Sequence, residues 1–181
     1  MIQVTDINLN DLAESIISSE FKTYFLAQPG AEHYRLLASI SELYNNETLL
    51  DIGTYKGCSS LALSYNNSNK IISFDVIENS VQLHNIPKNI EFVIDDITLP
   101  KYHELLINSP FIFLDTDHDG SFENKFYEYL IEINWNGTLL LDDIYLNDIM
   151  KKFWNMIPTN KKEDITKIGH WSGTGIVNFE N

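Results

Sequence analysis

The chain has 181 residues, with 12 Lys+Arg against 26 Asp+Glu and a formal net charge of −14. That length suits one domain with a real core, and an apolar content of 44% argues against disorder. No apolar run approaches the roughly 18 residues that span a bilayer, and no basic stripe is present to track a nucleic-acid backbone.

The start, Met1-Ile2-Gln3-Val4-Thr5-Asp6, lacks the basic and apolar stretches of a signal peptide. A single cysteine, Cys58, excludes an internal disulfide and suits a reducing compartment. A cytoplasmic protein with no membrane or nucleic-acid partner is the expectation. The 19 Asn and 23 Ile bias the composition without any repeat, homopolymer or linker.

In chain order, residues 9–44 carry helical spacing broken at Pro29-Gly30 and end in a well-patterned helix over 32–44. Residues 1–44 then form an N-terminal helical segment or lid, and 45–181 a ligand-binding core of the same single domain. Short apolar runs ending in acids or a Gly turn follow at 48–53, 70–75, 90–96, 110–115 and 137–143. Unalternated runs of this length predict strands buried on both faces, as in a parallel sheet. Helix-compatible stretches at 57–66, 101–107, 121–132 and 144–157 alternate with them, and two last strands are expected near 164–169 and 174–179. Only 14 residues separate Asp75 from Ile90, so any helix there has one or two turns at most. The fold class is α/β: a Rossmann-like, doubly wound, seven-stranded, mostly parallel sheet with a C-terminal antiparallel hairpin.

Ligands of open α/β sheets bind beyond the carboxyl ends of the strands. Asp51-Ile52-Gly53-Thr54-Tyr55-Lys56-Gly57-Cys58-Ser59-Ser60 sits at the first of these ends. Gly53 permits a tight turn, Gly57 close helix–strand contact, and the helix start offers N–H groups to an anion. Asp75, 22 residues beyond Gly53 at the second strand end, is placed to accept both ribose hydroxyls of a nucleoside. The spacing is GxxxG, which disfavours a dinucleotide fingerprint and excludes a P-loop. Glycines that serve packing alone are the plainer alternative.

Asp115-Thr116-Asp117-His118-Asp119-Gly120 and Asp142-Asp143 end the fourth and fifth runs. Neighbouring parallel strands would bring Asp115, Asp142 and Asp143 together, where their charges repel unless a cation sits among them. Oxygen donors without a thiolate or imidazole cluster favour Mg²⁺, then Mn²⁺ or Ca²⁺, over zinc. Solvated strand ends without metal are the alternative. Asp115-x-Asp117-x-Asp119-Gly120 also opens like a calcium loop, but position twelve is Phe126 in place of Glu, and a strand rather than a helix precedes it.

Leu50 to Ser59, then Phe74-Asp75, preceded by Gly30-Ala31-Glu32-His33-Tyr34-Arg35-Leu36-Leu37, resemble the class I S-adenosylmethionine-dependent methyltransferases. The nearest branch is the metal-dependent catechol/caffeoyl-CoA O-methyltransferase type with its sugar and small-molecule relatives. The resemblance covers about 30–180. It implies S-adenosylmethionine as cofactor, with Gly53 and Gly57 along its methionine part and Ser59 on its carboxylate. Asp75 would hold the ribose and Asp96 lie near the adenine amine, with Tyr55 and Asp115 also in the cofactor site. It further implies Asp115, Asp142 and Asp143 as metal ligands and His118, where the catechol branch has a basic Lys, as catalytic base. The reaction expected is methyl transfer to a hydroxyl of a small molecule or sugar. A non-catalytic cofactor-binding module and a nicotinamide-dependent oxidoreductase are the rivals. Gly169-His170-Trp171-Ser172-Gly173-Thr174-Gly175 reads as a tight turn, with His170 or Trp171 as candidates to line the acceptor pocket. Cys58 reads as packing, and so do Tyr24, Phe25 and Tyr34, for which a lid is the other reading.

Overall fold

A computed structural model describes residues 2–78 and 81–179. Strands β1 (Thr48–Ile52), β2 (Lys70–Asp75), β3 (Ile90–Ile94), β4 (Phe111–Leu114) and β5 (Thr138–Leu141) run parallel. Strand β7 (Gly175–Asn178) pairs antiparallel with both β5 and β6 (Lys162–Asp164), giving the order β3-β2-β1-β4-β5-β7-β6. The expected seven-stranded, mostly parallel sheet with its antiparallel C-terminal pair is the sheet observed.

Consecutive strand residues face opposite layers, and both layers are apolar. Leu49, Ile71, Phe111 and Phe113 pack on the N-terminal segment, α3 (Tyr34–Ser41) and α4 (Cys58–Leu63). Leu50, Ile52, Phe74, Ile112 and Leu114 pack on α5 (His103–Ile107), α6 (Ser121–Glu132) and α7 (Asp148–Met156). Burial on both faces is why the runs show no polar alternation. β3 departs from it, because it is an edge strand: Ile94 is 50% exposed.

The N-terminal segment, with α1 (Asn10–Ala13) and α2 (Ser19–Phe25), buries Val4, Leu9, Ala13 and Phe25 in the first layer. Phe25 stacks against Tyr34 with ring centroids 5.2 Å apart. The helix expected over 32–44 is shorter and is α3. Its carboxyl end is stopped by Asn66 and Asn69, whose amides donate to the Ser41 and Tyr44 carbonyls. α7 starts at Asp148, later than expected, because the Asn147 side chain accepts from the Ile149 and Met150 N–H groups and caps the helix.

One local expectation is corrected. The sixth strand lies at 162–164 and a 3₁₀ turn, Thr166–Ile168, occupies most of the range where it was expected. Asp164 ends the strand by accepting from both the N–H and the hydroxyl of Thr166, a local bond that competes with the ladder. Between β2 and β3 no helix occurs among the described residues; Leu83 instead bridges antiparallel to Ile16. Ile17 and His84 N–H groups complete that tie through the carbonyls of Gln82 and Ser15. The N-terminal segment thus covers the flank that a crossover helix would cover.

Candidate active site

Register builds the site. Ile52 pairs with Leu114 and Leu114 with Leu141, so Gly53, Asp115 and Asp142 step off the sheet together. Backbone bonds continue the ladder past the strand ends, from Gly53 N–H to Phe74 O, Asp115 N–H to Ile52 O and Asp142 N–H to Leu114 O. Gly53 has φ +95°, and a Cβ there would lie 1.6 Å from the Asp115 carbonyl oxygen. Only glycine allows the β1 and β4 ends to approach so closely. Gly57 has φ +87° at the N-cap of α4, and its open face meets Val81, Leu83 and Phe92 rather than its own strand.

Under the glycine turn Asp51 is fully buried, and its Oδ2 accepts from Thr54, Ser59, Ser60 and Ser73 at 2.6–3.2 Å. Burial raises its pKa while the serine hydroxyls oppose the rise. Ser59, implied to meet the cofactor carboxylate, spends its own proton on Asp51. Asp75 is fixed from two sides, Oδ2 by the Tyr55 N–H at 3.1 Å and Oδ1 by the Ile77 N–H at 3.0 Å. Asp96 accepts from the N–H and hydroxyl of Thr98 at 2.8 and 2.7 Å.

These groups border a cavity of about 490 Å³ lined by Gly53, Tyr55, Asp75, Asp96, Asp115 and, as apolar wall, Ile77. Val76, Ile97 and Phe122 complete the apolar side. A second cavity of about 60 Å³ shares Gly53, Tyr55 and Asp115 with it and reaches Ser59, Cys58 and His33. The cofactor residues expected from the sequence therefore border two adjoining cavities that share Gly53, Tyr55 and Asp115, except that Gly57 borders neither.

On the β4–β5 side charges are paired with imidazoles. His118 Nε2 lies 3.1 Å from both Asp115 Oδ1 and Asp143 Oδ2. Burial alone would depress the His118 pKa, but the two carboxylates hold it above its ordinary value. Glu123, 2% exposed, accepts from the Thr116 hydroxyl and the His118 N–H and so fixes the loop from Asp115 to Gly120. His118 and Asp143 have φ +56° and +57°, left-handed values uncommon outside glycine but more accessible to His and Asp than to most residues.

Asp142, 2% exposed, faces His33 Nδ1 at 3.1 Å and His170 Nδ1 at 3.2 Å, both from its Oδ2. Burial would raise its pKa, yet the imidazoles hold the carboxyl well below the usual range. His170 also lies 3.2 Å from Asp143 Oδ1, and although burial opposes it the two carboxylates push its pKa up to about 10. Ser172 donates to Asp143. The premise that no imidazole cluster exists is overturned: three imidazoles stand between or against the three carboxylates. The turn over residues 169–175 brings His170 in, and the start of α3 brings His33.

His33, Glu123 and the hub role of Asp51 are not among the site residues expected from the sequence. His33 carried a signal, since it stands directly before the α3 pattern. Glu123 sits in the first turn of α6, three residues after Gly120, where an acid reaches back to the preceding loop. Cys58, as expected, is a packing residue: burial raises its thiol pKa to about 12. Trp171, beside His170, is 69% exposed.

Comparison of the sequence with protein-family models gives no match, and comparison with curated proteins gives none either. Solved structures do match. Cofactor-bound Rv0187 from MTB is 15% identical, with a TM-score of 0.59 over 94% of this chain and 86% of that one. The O-methyltransferase TomG from Streptomyces achromogenes, involved in tomaymycin synthesis and solved with S-adenosylmethionine, is 14% identical, with a TM-score of 0.57 over 96% and 89%. Fibrillarin from Aeropyrum pernix, solved with natively bound S-adenosyl-L-methionine, is 12% identical, with a TM-score of 0.53 over 80% and 75%. The chain has the class I S-adenosylmethionine-dependent methyltransferase fold. A fold shared by TomG and fibrillarin does not choose an acceptor, so the acceptor must be argued from the site. No helix among the described residues is long and apolar enough to cross a membrane.

Proposed function

We propose that this chain is a S-adenosylmethionine-dependent O-methyltransferase acting on a hydroxyl of a small molecule or sugar, with help from a divalent cation. The carrying observation is the cavity at the strand ends, where Asp75 is immobilised by the Tyr55 and Ile77 N–H groups next to the Gly53 turn. Asp75 takes the ribose hydroxyls, Asp96 borders the adenine, and Val76, Ile77, Ile97 and Phe122 supply the apolar wall. Gly53 and Tyr55 bring backbone to the methionine half, and Asp115 borders both cavities.

The fit to the cofactor rests on two further features. Gly53 lets the β1 and β4 ends close up so that its backbone lines both cavities, and Asp115 lines both as well. A divalent cation finds donors in Asp142 and its neighbours, where it would lower the pKa of a bound acceptor hydroxyl. His118, held between Asp115 and Asp143, takes the acceptor proton, and its fixed position limits the oxygen to one approach. Asp115, 3.1 Å from His118 Nε2, lines both cavities and so sets that imidazole beside them. With a surplus of fourteen negative charges, a phosphate-rich polymer is a poor acceptor.

Calorimetric titration with S-adenosylhomocysteine tests the cofactor, and transfer of a labelled methyl from S-adenosylmethionine to a panel of catechols, phenols and sugars tests the reaction. Micromolar binding with a labelled methyl ether is expected. No binding at millimolar ligand sinks the reading.

A further inference from the structure

The cation of the reading above was expected among three carboxylates, and the side chains are not arranged for that. His118 occupies the space between Asp115 and Asp143. Among the described residues, the three ligating side chains that close on one another are His33, Asp142 and His170, with donor atoms within 4.8 Å. Resting on that reading, we propose that these three residues form a binding site for a transition-series divalent ion of the zinc class, in place of a carboxylate site for Mg²⁺.

Spacing supports a shared ion. Two donors bound to one ion at about 2.1 Å lie roughly 3.0–3.4 Å apart for octahedral to tetrahedral angles. His33 Nδ1 and His170 Nδ1 stand 3.1 and 3.2 Å from the same oxygen, Asp142 Oδ2. The two rings are perpendicular with centroids 5.5 Å apart, so they approach that oxygen from different directions.

The second observation is the hydrogen bonding of His33. His33 is 4% exposed, yet its Nδ1 makes no hydrogen bond. It is close to Asp142 but off the axis along which a ring N–H would donate. A buried imidazole nitrogen that makes no hydrogen bond costs free energy even with a carboxylate 3.1 Å away, and a bound metal ion would satisfy it. Around the set stand outer groups of the kind that orient metal-bound imidazoles. Glu32 Oε2 lies 3.8 Å from His170 Nε2, and the His33 ring packs 5.0 Å from that of Phe113. Two imidazoles and one carboxylate are borderline donors, which suit Zn²⁺, Co²⁺, Fe²⁺ or Mn²⁺ better than Mg²⁺ or Ca²⁺. Three protein ligands leave coordination open to water or an acceptor oxygen. His33 also lines the smaller cavity, beside Asp115 and Ser59.

The test uses the full chain, stripped by chelator and titrated with Zn²⁺ and separately with Mg²⁺ by calorimetry near neutral pH. One Zn²⁺ per chain is expected. His33→Gln and His170→Gln should each weaken it about 10–100-fold, whereas Asp115→Asn should leave it within about twofold. X-ray absorption of the zinc-loaded protein should count two imidazoles in the native chain and one in each histidine variant. Zinc affinity indifferent to both histidines, one imidazole or none in the native spectrum, or Mg²⁺ bound through Asp115 would each overturn the proposal. Circular dichroism checks that each variant is folded, and the partly exposed His170 supplies the variant if His33→Gln is not. S-adenosylhomocysteine titration separates the two readings. Cofactor binding without histidine-dependent zinc defeats only this proposal, and zinc without cofactor defeats only the methyltransfer reading.

Discussion

The two halves of the strand-end ledge solve different problems with the same residue type. At β1–β3 the three acids Asp51, Asp75 and Asp96 have neutral donors, four hydroxyls, two backbone N–H groups and Thr98 respectively, while Asp95 beside them pairs with Lys101. At β4–β5 the acids are held by imidazoles, and ionisation is displaced from ordinary values at Asp142, His33, His118 and His170. Neutral donors fix shape without tying it to pH, which is what a bound nucleoside requires. Imidazole–carboxylate pairs place protons and charge where chemistry or a cation needs them. A surplus of acid that looks uniform in composition is therefore two devices.

The change with the largest expected effect breaks both halves at once. Gly53→Ala forces a Cβ to 1.6 Å from the Asp115 carbonyl at φ +95°, so β1 and β4 must part. The folded state should lose about 4 kcal/mol or more in denaturant unfolding. A loss under about 1 kcal/mol would mean that the two halves are not mechanically joined there.

The next two changes sharpen the division. His118→Gln should lower kcat by about 10³-fold and leave S-adenosylhomocysteine affinity within about twofold. Asp75→Asn should do the reverse, weakening S-adenosylhomocysteine about 100-fold, or about 2.7 kcal/mol, with zinc affinity unchanged. If either variant damages both readouts alike, the division of labour is wrong.

How much of this was legible in the sequence follows the same boundary. The five buried runs and the Gly53–Asp75 pair are local patterns, and both the parallel sheet and the strand-end cavity lie where those patterns put them. The strands that could be misplaced were those with least apolar content: β6 has three residues, Lys162–Asp164, and its end is decided by a side-chain bond from Asp164 to Thr166. The β4–β5 half was only partly legible, because its partners are distant in sequence. His33 and Asp142 are 109 residues apart and His118 and Asp143 are 25 apart, and neither pairing leaves a local trace. Asp115, Asp142 and Asp143 were found as strand ends. The imidazoles among them come from the start of α3 and from a loop after β4 and one before β7, which only the tertiary fold assembles.

Cys58 offers the smallest effect and the cleanest control, because it lies on the cofactor side of the ledge but belongs to neither device. It is 5% exposed and its thiol pKa is raised to about 12 from an ordinary 9, chiefly by burial and secondarily by the charge of Asp51. Above pH 9 the unfolded chain gives up this proton and the folded chain keeps it. Stability from this group is thus intact below pH 9 and falls as pH rises toward 12. At pH 10 the difference is about 1.4 kcal/mol. Cys58→Ala should lose that part of the alkaline decline, read as the gap between the two proteins in denaturant unfolding at pH 8 and pH 10. Alkylation by iodoacetamide at pH 8 should likewise be slow in the folded chain and rapid in denaturant, since the thiolate is the nucleophile. Rapid alkylation of the folded protein would place Cys58 in an open, activated setting and make the glycine turn part of the reactive half after all.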